Sequence, residues 1–164
     1  MKRRACIFIL ALSLSACGFQ LRGMDGQRNL PFQTVYVNVP DTSPLGIELR
    51  RNIRGSSDTK VVTDPKAAQA SINVLGEARD RATLSLNTQG RVREYSLNYR
   101  VRFQVTGESG KELLAPTEIV LKRDVSFNES QVLAKEKEEE MLYRDMQSDA
   151  VQQILRRIAA LRKG

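Results

Sequence analysis

Apolar and polar residues alternate over three long stretches that start at Ser71, and this period of two predicts three β-strands. In the first strand, the side chains predicted to face a core are Ile72, Val74, Ala78, Ala82, Leu84 and Leu86. In the second strand, they are Tyr95, Leu97, Tyr99, Val101, Phe103 and Val105. In the third strand, they are Ile119, Leu121, Val125 and Phe127. Three antiparallel strands with one apolar face require a cover on that face.

The turn between the first two strands is predicted at residues 88–91, where Gly90 can supply a positive φ. The opposite face of the first strand is polar and consists of Asn73, Glu77, Arg79, Arg81, Thr83 and Ser85. A slip of one residue would turn a strand inside out, so matching the two apolar faces sets the pairing. This matching predicts that Leu84 lies opposite Tyr95 and that Glu77 lies opposite Arg102.

Two helices are predicted to cover the sheet. The first begins with Ser43 as N-cap and Pro44 at its first position, and it ends near Gly55. Its apolar stripe is Leu45, Leu49 and Ile53. The second helix extends from about Gln131 to Arg162. Its apolar stripe consists of Leu142, Tyr143, Met146, Ala150, Val151, Ile154, Leu155, Ile158 and Leu161.

Two shorter segments complete the predicted sheet. Residues 34–39 alternate as a strand, and residues 59–63 are a candidate for another short strand. The predicted fold class is therefore α+β, with a single domain over residues 31–164. We expect a two-layer sandwich in which a mixed sheet of about four strands packs on two helices.

The N-terminus has the layout of a secretory signal peptide over residues 1–16: three cations, an apolar run and small residues. The apolar run is too short to be a permanent membrane span. Residues 14–17, Leu-Ser-Ala-Cys, form a bacterial lipobox, so Cys17 is predicted to be the lipidated first residue of the mature chain. Residues 17–30 are then its tether. The alternative, a buried N-terminal helix that ends in cysteine, requires all these features to coincide.

Charge and composition restrict the chemistry. The formal charge of +7 loses three positive charges with the signal and becomes about +4, which favours an anionic partner surface without indicating nucleic acid. The chain has no histidine, and its two cysteines are Cys6 in the signal and Cys17. These counts exclude Ser-His-Asp and Cys-His nucleophiles and the usual zinc sites. We expect no metal and no cofactor other than the covalent lipid on Cys17.

Catalysis by carboxylates alone remains open. Asp80 is the one acid of the three strands that is oddly placed, because the alternation puts it on the core face beside Tyr99. A bulge or a position near the sheet edge would also account for it.

Three segments of the chain resemble the LPS-assembly lipoprotein family LptE. They are Cys-Gly-Phe-Gln-Leu-Arg-Gly at 17–23, Gly-Arg-Val-Arg-Glu-Tyr at 90–95 and Val-Leu-Ala-Lys at 132–135, before an acidic helix. The predicted order of elements is similar to that family as well, so the resemblance extends over nearly the whole mature chain.

The resemblance implies a non-enzymatic lipoprotein of the outer membrane. Members of the family plug the large β-barrel protein LptD from the periplasmic side, as one-to-one complexes inside its lumen. They assist the assembly of that barrel and bind lipopolysaccharide during its transport to the cell surface. Their lipopolysaccharide contacts are basic residues near the hairpin tip and before the last helix. Lys135 matches the second position, whereas the first falls on Thr88, so that Arg91 or Arg93 are candidates to supply the charge.

Arginine suits such a ligand because its guanidinium forms bidentate hydrogen bonds with phosphate oxygens. Four more arginines, Arg79, Arg81, Arg100 and Arg102, are predicted on the polar face of the sheet. The alternative for these four is a solvated face with cross-strand ion pairs. An alternative for the whole protein is a structural lipoprotein of another envelope machine.

Overall fold

The computed structural model describes residues 30–56 and 58–161, so the predicted signal peptide, Cys17 and most of the predicted tether lie outside the described residues. The strands are β1 (Thr34–Asn38), β2 (Lys60–Val62), β3 (Ala70–Leu86), β4 (Val92–Gly107) and β5 (Glu112–Ser126). The helices are α1 (Pro44–Ser56) and α2 (Val132–Ala159). Short 3₁₀ turns occupy Pro65–Ala67, Glu108–Gly110 and Glu129–Gln131. Within this part of the chain, no helix is long and apolar enough to cross a membrane.

The strands form one mixed sheet in the order β2-β1-β3-β4-β5. β1 pairs in parallel with β2 and β3, whereas β3, β4 and β5 form an antiparallel meander. The α+β prediction is confirmed, with five strands in place of about four. The fifth strand is β2, which confirms the candidate at residues 59–63; it has only three residues and therefore shows almost no alternation in the sequence.

Helix α1 begins where the sequence predicts. The Ser43 hydroxyl oxygen accepts a hydrogen bond from the amide of Gly46 at 3.2 Å, and the Ser43 carbonyl accepts from Ile47 at 2.9 Å, as an N-cap does. The stripe Leu45, Leu49 and Ile53 is fully buried.

Helix α2 supplies the other half of the cover. Eight of its side chains are buried, and all lie in its C-terminal part: Tyr143, Met146, Gln147, Ala150, Val151, Ile154, Leu155 and Ile158. They pack on the predicted inward residues of β4, of which Leu97, Tyr99, Val101, Phe103 and Val105 are buried. Leu30, at the boundary between the predicted tether and the domain, also belongs to this core and is 8% exposed.

The prediction of which side chains of β3 point to the core is wrong beyond Val74. The register with β4 shifts between Val74 and Gly76, so Leu75 is an extra, bulged residue with 47% exposure. A bulge of one residue moves every later side chain to the other face of the sheet. Accordingly, Thr83 lies opposite Tyr95, in place of Leu84.

The helix side of β3 therefore carries charged residues. Glu77 lies opposite Val101, in place of Arg102, and Arg79 and Arg81 make contacts with α2. Two further register shifts follow near the hairpin tip, between Thr83 and Ser85 and between Ser85 and Leu86, and Leu84 and Leu86, which were predicted to be inward, are 52% and 56% exposed.

Asp80 accordingly lies on the outer face of the sheet, away from the core. Its carboxylate accepts hydrogen bonds from Asn98 at 3.0 Å and Arg100 at 2.7 Å. The prediction of a core position beside Tyr99 is wrong, because Arg79 occupies the position opposite that tyrosine. The bulge that causes this change lies five residues before Asp80. An exposed ion pair accounts for this acid without catalysis.

Candidate functional site: the hairpin tip and the start of the second helix

The β3–β4 turn is built around Asn87. Its side-chain oxygen accepts hydrogen bonds from the amides of Gln89 at 3.0 Å and Arg91 at 2.9 Å, and its backbone amide donates to the Arg91 carbonyl. Gly90 has a φ of 75°, which only glycine adopts without strain. Thr88 and Arg91 are therefore held on an ordered, exposed tip.

The tip lies against the segment that connects β5 to α2. Arg91 forms an ion pair with Glu129 at 2.7 Å, and the amide of Phe127 donates to the Arg93 carbonyl at 2.8 Å. Asn128 shapes this segment because its side-chain oxygen accepts from the Ser130 amide at 3.0 Å. The fold thus brings the hairpin tip to the start of the last helix, 38 residues further along the chain.

Lys135, in the first turn of α2, faces the end of β5. Its ammonium donates to the Ser126 hydroxyl at 3.1 Å and to the Glu138 carboxylate at 2.8 Å. Its side chain is only 17% exposed. The lysine therefore lies partly under the helix, with its charge directed towards the sheet end.

A small cavity of about 130 Å³ separates this part of α2 from the sheet. Its lining combines apolar groups and charges: Arg81, Tyr95, Val125, Ser126, Phe127, Val132, Lys135, Glu136 and Glu139. Tyr95 and Phe127 meet edge to face at 5.2 Å. The Arg81 guanidinium lies 4.6 Å from the Tyr95 ring and pairs with Glu139 at 2.9 Å. The cavity thus offers an apolar wall with charged groups at its rim.

The residues predicted to contact lipopolysaccharide lie at one end of the molecule. Arg91 and Lys135 flank the same junction, and Arg93 follows on β4 with an exposed side chain. Within residues 30–56 and 58–161, the Arg93 guanidinium has no hydrogen-bond or ion-pair partner. Of the four arginines predicted on the polar sheet face, only Arg100 and Arg102 lie there, because the Leu75 bulge moves the other two.

Sequence reasoning missed the acidic partners of these cations. Glu129 and Glu138 compensate Arg91 and Lys135, and Glu139 compensates Arg81. The signal in the sequence for Glu138 and Glu139 is the acidic run at 136–140, whereas Glu129 lies outside that run. An exposed pair such as Arg91–Glu129 contributes little stability, so an anionic ligand can compete for the guanidinium.

Behind the tip, a polar network joins β3 to β4 and α2. The Tyr99 hydroxyl donates to Glu77 at 2.8 Å, and Arg79 donates to Gln147 at 3.0 Å. The Arg79 guanidinium lies 5.5 Å from the rings of both Tyr99 and Tyr143. Burial and the Glu77 hydrogen bond raise the pKa of Tyr99, and burial also raises the pKa of Tyr143.

The network continues to α1. Gln147 and Ser148 donate to the two carboxylate oxygens of Glu48 at 2.8 and 2.6 Å. Among the described residues, no buried side-chain polar atom lacks a partner. These contacts fix the C-terminal part of α2, and the orientation of its first turns at the tip follows from that.

The chain matches the family model LptE, lipopolysaccharide-assembly, over residues 32–158. This chain belongs to the LptE family. The LPS-assembly lipoprotein LptE of Pectobacterium atrosepticum is 28% identical over 98% of this chain and 88% of the relative. The LptE of Yersinia enterocolitica is 29% identical over 96% of this chain and 77% of the relative.

Solved structures agree with the LptE assignment. Lipoprotein B from Nitrosomonas europaea is 43% identical with a TM-score of 0.75, and the match covers 87% of this chain and 91% of that one. The rare lipoprotein B from Shewanella oneidensis is 30% identical with a TM-score of 0.68, and the match covers 77% of this chain and 94% of that one. The fold class predicted from the sequence is thus shared with these lipoproteins.

Proposed function

We propose that this protein is a non-enzymatic outer-membrane lipoprotein, anchored by lipid on Cys17, that plugs an LptD-type β-barrel. In that role it assists assembly of the barrel and binds lipopolysaccharide during transport to the cell surface. Membership of the LptE family supports the envelope role, because the relatives are named for lipopolysaccharide assembly. The observation that carries the ligand site is the convergence of Arg91, Arg93 and Lys135 at one end of the sheet.

The uncovered face of the sheet supports a position inside a barrel. It carries charged groups, the Arg100–Asp80 pair at 2.7 Å and an exposed Arg102, beside the small residues of β3. The lumen of an outer-membrane barrel is polar, so a plug must present such a surface.

Lipopolysaccharide carries phosphates, which form charge-assisted hydrogen bonds with guanidinium and ammonium groups. The Arg93 guanidinium can bind a phosphate directly, because it has no partner among the described residues. The Arg91 guanidinium can bind one after the phosphate displaces Glu129. Lys135 is only partly exposed, so we expect it to contact a ligand that reaches the edge of the small cavity.

A charge-reversal experiment tests the ligand site. We expect the double variant Arg91→Glu and Lys135→Glu to bind lipopolysaccharide at least about tenfold more weakly, since a charged hydrogen bond contributes roughly 1.5–3 kcal/mol. The control is Lys66→Glu with Lys111→Glu, which makes the same change in net charge on exposed residues at the other end of the sheet. Binding can be measured with purified protein and lipopolysaccharide, with circular dichroism to establish folding. Equal binding by both double variants would refute the site.

The barrel role has its own test. Tagged protein from the native envelope should co-purify with a much larger β-barrel in detergent and high salt. Depletion should then reduce surface lipopolysaccharide and cause its accumulation inside the envelope. General loss of porins, with surface lipopolysaccharide unchanged, would instead indicate a structural lipoprotein of another envelope machine.

A further inference from the structure

Most of strand β3 has an open edge. β1 pairs only with residues Ala70 to Asn73, so beyond Val74 no described strand lies beside β3 on that side. The edge extends to Leu86. The Leu75 bulge lies just past the last residue that β1 pairs, where a bulge can end pairing.

The hydrogen bonds of β4 show which backbone groups this edge presents. Phe127 donates its amide to the Arg93 carbonyl, so the odd-numbered residues of β4 face β5 and the even-numbered ones face β3. The residues of β3 opposite odd-numbered positions of β4 therefore turn their N–H and C=O groups to the open edge. They are Glu77, Arg79, Arg81 and Thr83.

The opposite edge of the sheet is blocked by proline, lysine and side-chain hydrogen bonds, whereas this edge has only its bulge at Leu75 and charged residues that face the helices. β5 contains Pro116 and Lys122, two residues that discourage strand addition. Its outward carbonyls at Glu118 and Lys122 already accept hydrogen bonds from Arg157 and Arg123. Residues 75–86 of β3 contain neither proline nor lysine.

The outer surface along this edge suits a strand with large apolar side chains. Gly76, Ala78 and Ala82 form a strip of small residues there, which Asp80 interrupts, and a Cβ built on Gly76 meets no atom within 4 Å. Leu84, further along the same strand, is 52% exposed.

At the other end of the edge, a groove of about 600 Å³ opens where β1 stops. Its lining includes Val39 and Val74. The groove leaves room for an additional strand to enter or leave.

We propose that residues 75–83 of β3 pair with an extended segment of the barrel protein, which joins the sheet as an additional strand. This inference rests on the proposed function. The wall strands of a closed barrel have no free edges, so the donor is a loop or terminal segment that enters the lumen. The backbone hydrogen bonds would supply the affinity. The strip of small residues would supply the selectivity for large apolar side chains.

A second copy of this chain can pair with this edge in fewer registers. Antiparallel self-pairing centred on Arg79, Asp80 or Arg81 places two arginines directly opposite each other, which is destabilising, so a second copy is restricted to registers centred elsewhere. A strand with large apolar side chains over Ala78 and Ala82 meets no such repulsion.

Proline substitution tests the edge. In the full-length lipoprotein co-expressed with its barrel, Thr83→Pro removes an outward amide and leaves the hydrogen bonds to β4 intact. The matched control is Val120→Pro, which removes an outward amide from the protected edge of β5. We expect Thr83→Pro to capture at least tenfold less barrel than the wild type, and Val120→Pro to capture a normal amount. Amide hydrogen exchange in the wild-type complex should slow within residues 76–84 and not within 118–124.

The outcomes separate the two proposals. If the wild type captures no barrel, the proposed function fails. If the wild type and Thr83→Pro capture it equally, or if exchange in residues 76–84 is unchanged by the barrel, strand addition is refuted while the plug role stands. If the lipoprotein without its barrel is a dimer, and Thr83→Pro makes it a monomer, the edge binds a second copy of this chain and the proposal is overturned. Should Thr83→Pro fail to fold, the exchange measurement decides.

Discussion

The Tyr99 hydroxyl forms a hydrogen bond with Glu77 that the sequence alone does not predict. The sequence predicts Tyr99 as one of several core aromatic residues, and its ring is fully buried. Its hydrogen bond to Glu77 could not be predicted, because the alternation placed Glu77 on the other face of the sheet. Similarly, the tip cations were predictable from the resemblance, whereas the pairing of Arg91 with Glu129 depends on a 3₁₀ turn too short to leave a pattern.

Tyr99→Phe should lower the free energy of unfolding at pH 7 by about 1 kcal/mol, the usual net contribution of one hydrogen bond. The folded-state pKa of Tyr99 is raised above 10.0, so its stabilisation is complete below pH 10 and is lost as the pH rises further. The variant should therefore lose less stability than the wild type between about pH 9 and pH 11. Urea unfolding at several pH values measures this, with Tyr36→Phe as control. A wild type and variant with parallel pH profiles would contradict it.

Strand β3 shows the limit of pattern analysis for a whole element. Its length, its turn and its pairing with β4 were predictable, because alternation extends over many residues. Which of its side chains face the core was not predictable, because the bulged residue reverses the alternation. Ala78 and Ala82, which lie on the outer face, are apolar and therefore suggest a core position in the sequence. Arg79 and Arg81 fit the alternation as residues of the polar face, but the bulge turns both towards α2, where they have amide and acidic partners.

Deletion of Leu75 tests the bulge. Leu75 is the extra residue, so its deletion leaves Val74 opposite Phe103 and Gly76 opposite Arg102 in regular alternation, and Arg79 and Arg81 keep facing α2. We therefore expect the deletion to lower the free energy of unfolding by less than about 1 kcal/mol, as Leu75→Ala should, because it removes only a half-exposed side chain. Urea denaturation of both variants compares them. A loss of more than about 3 kcal/mol in the deletion variant alone would show that the bulge itself is required.

Helix α2 divides into two parts with different roles. All of its buried side chains lie from Tyr143 onward, whereas Leu133 near its start is 78% exposed. Ile154→Ala should cost about 2–5 kcal/mol by leaving a cavity in the core. Leu133→Ala should leave stability within about 0.5 kcal/mol of the wild type. Thermal and chemical unfolding measure both, and a similar loss for the two variants would contradict this division.

At the scale of the whole molecule, one apolar core lies between two helices and one face of a five-stranded sheet. The sequence predicted this layering because two apolar helix stripes and three alternating strands leave few other ways to bury their faces. It could not predict that the predicted ligand residues and Leu30, where the described chain begins, lie at opposite ends. That separation arises from the length of β3, since Leu30 leads into β1 beside Ala70 and the turn at Gly90 follows Leu86.

The length of β3 has a consequence for the proposed lipid anchor, because Leu30, where the described chain begins, leads into β1 at the end of β3 away from the hairpin tip. Seventeen residues of extended chain measure roughly 55 Å, which exceeds the roughly 40–45 Å thickness of a whole bilayer with its headgroups. If lipid on Cys17 holds the domain upright in a pore from the periplasmic leaflet, Arg91 would therefore reach the opposite surface of the membrane. With β3 parallel to the membrane, Arg91 would stay near the anchored side, so the tilt of the domain determines which leaflet its cations can touch.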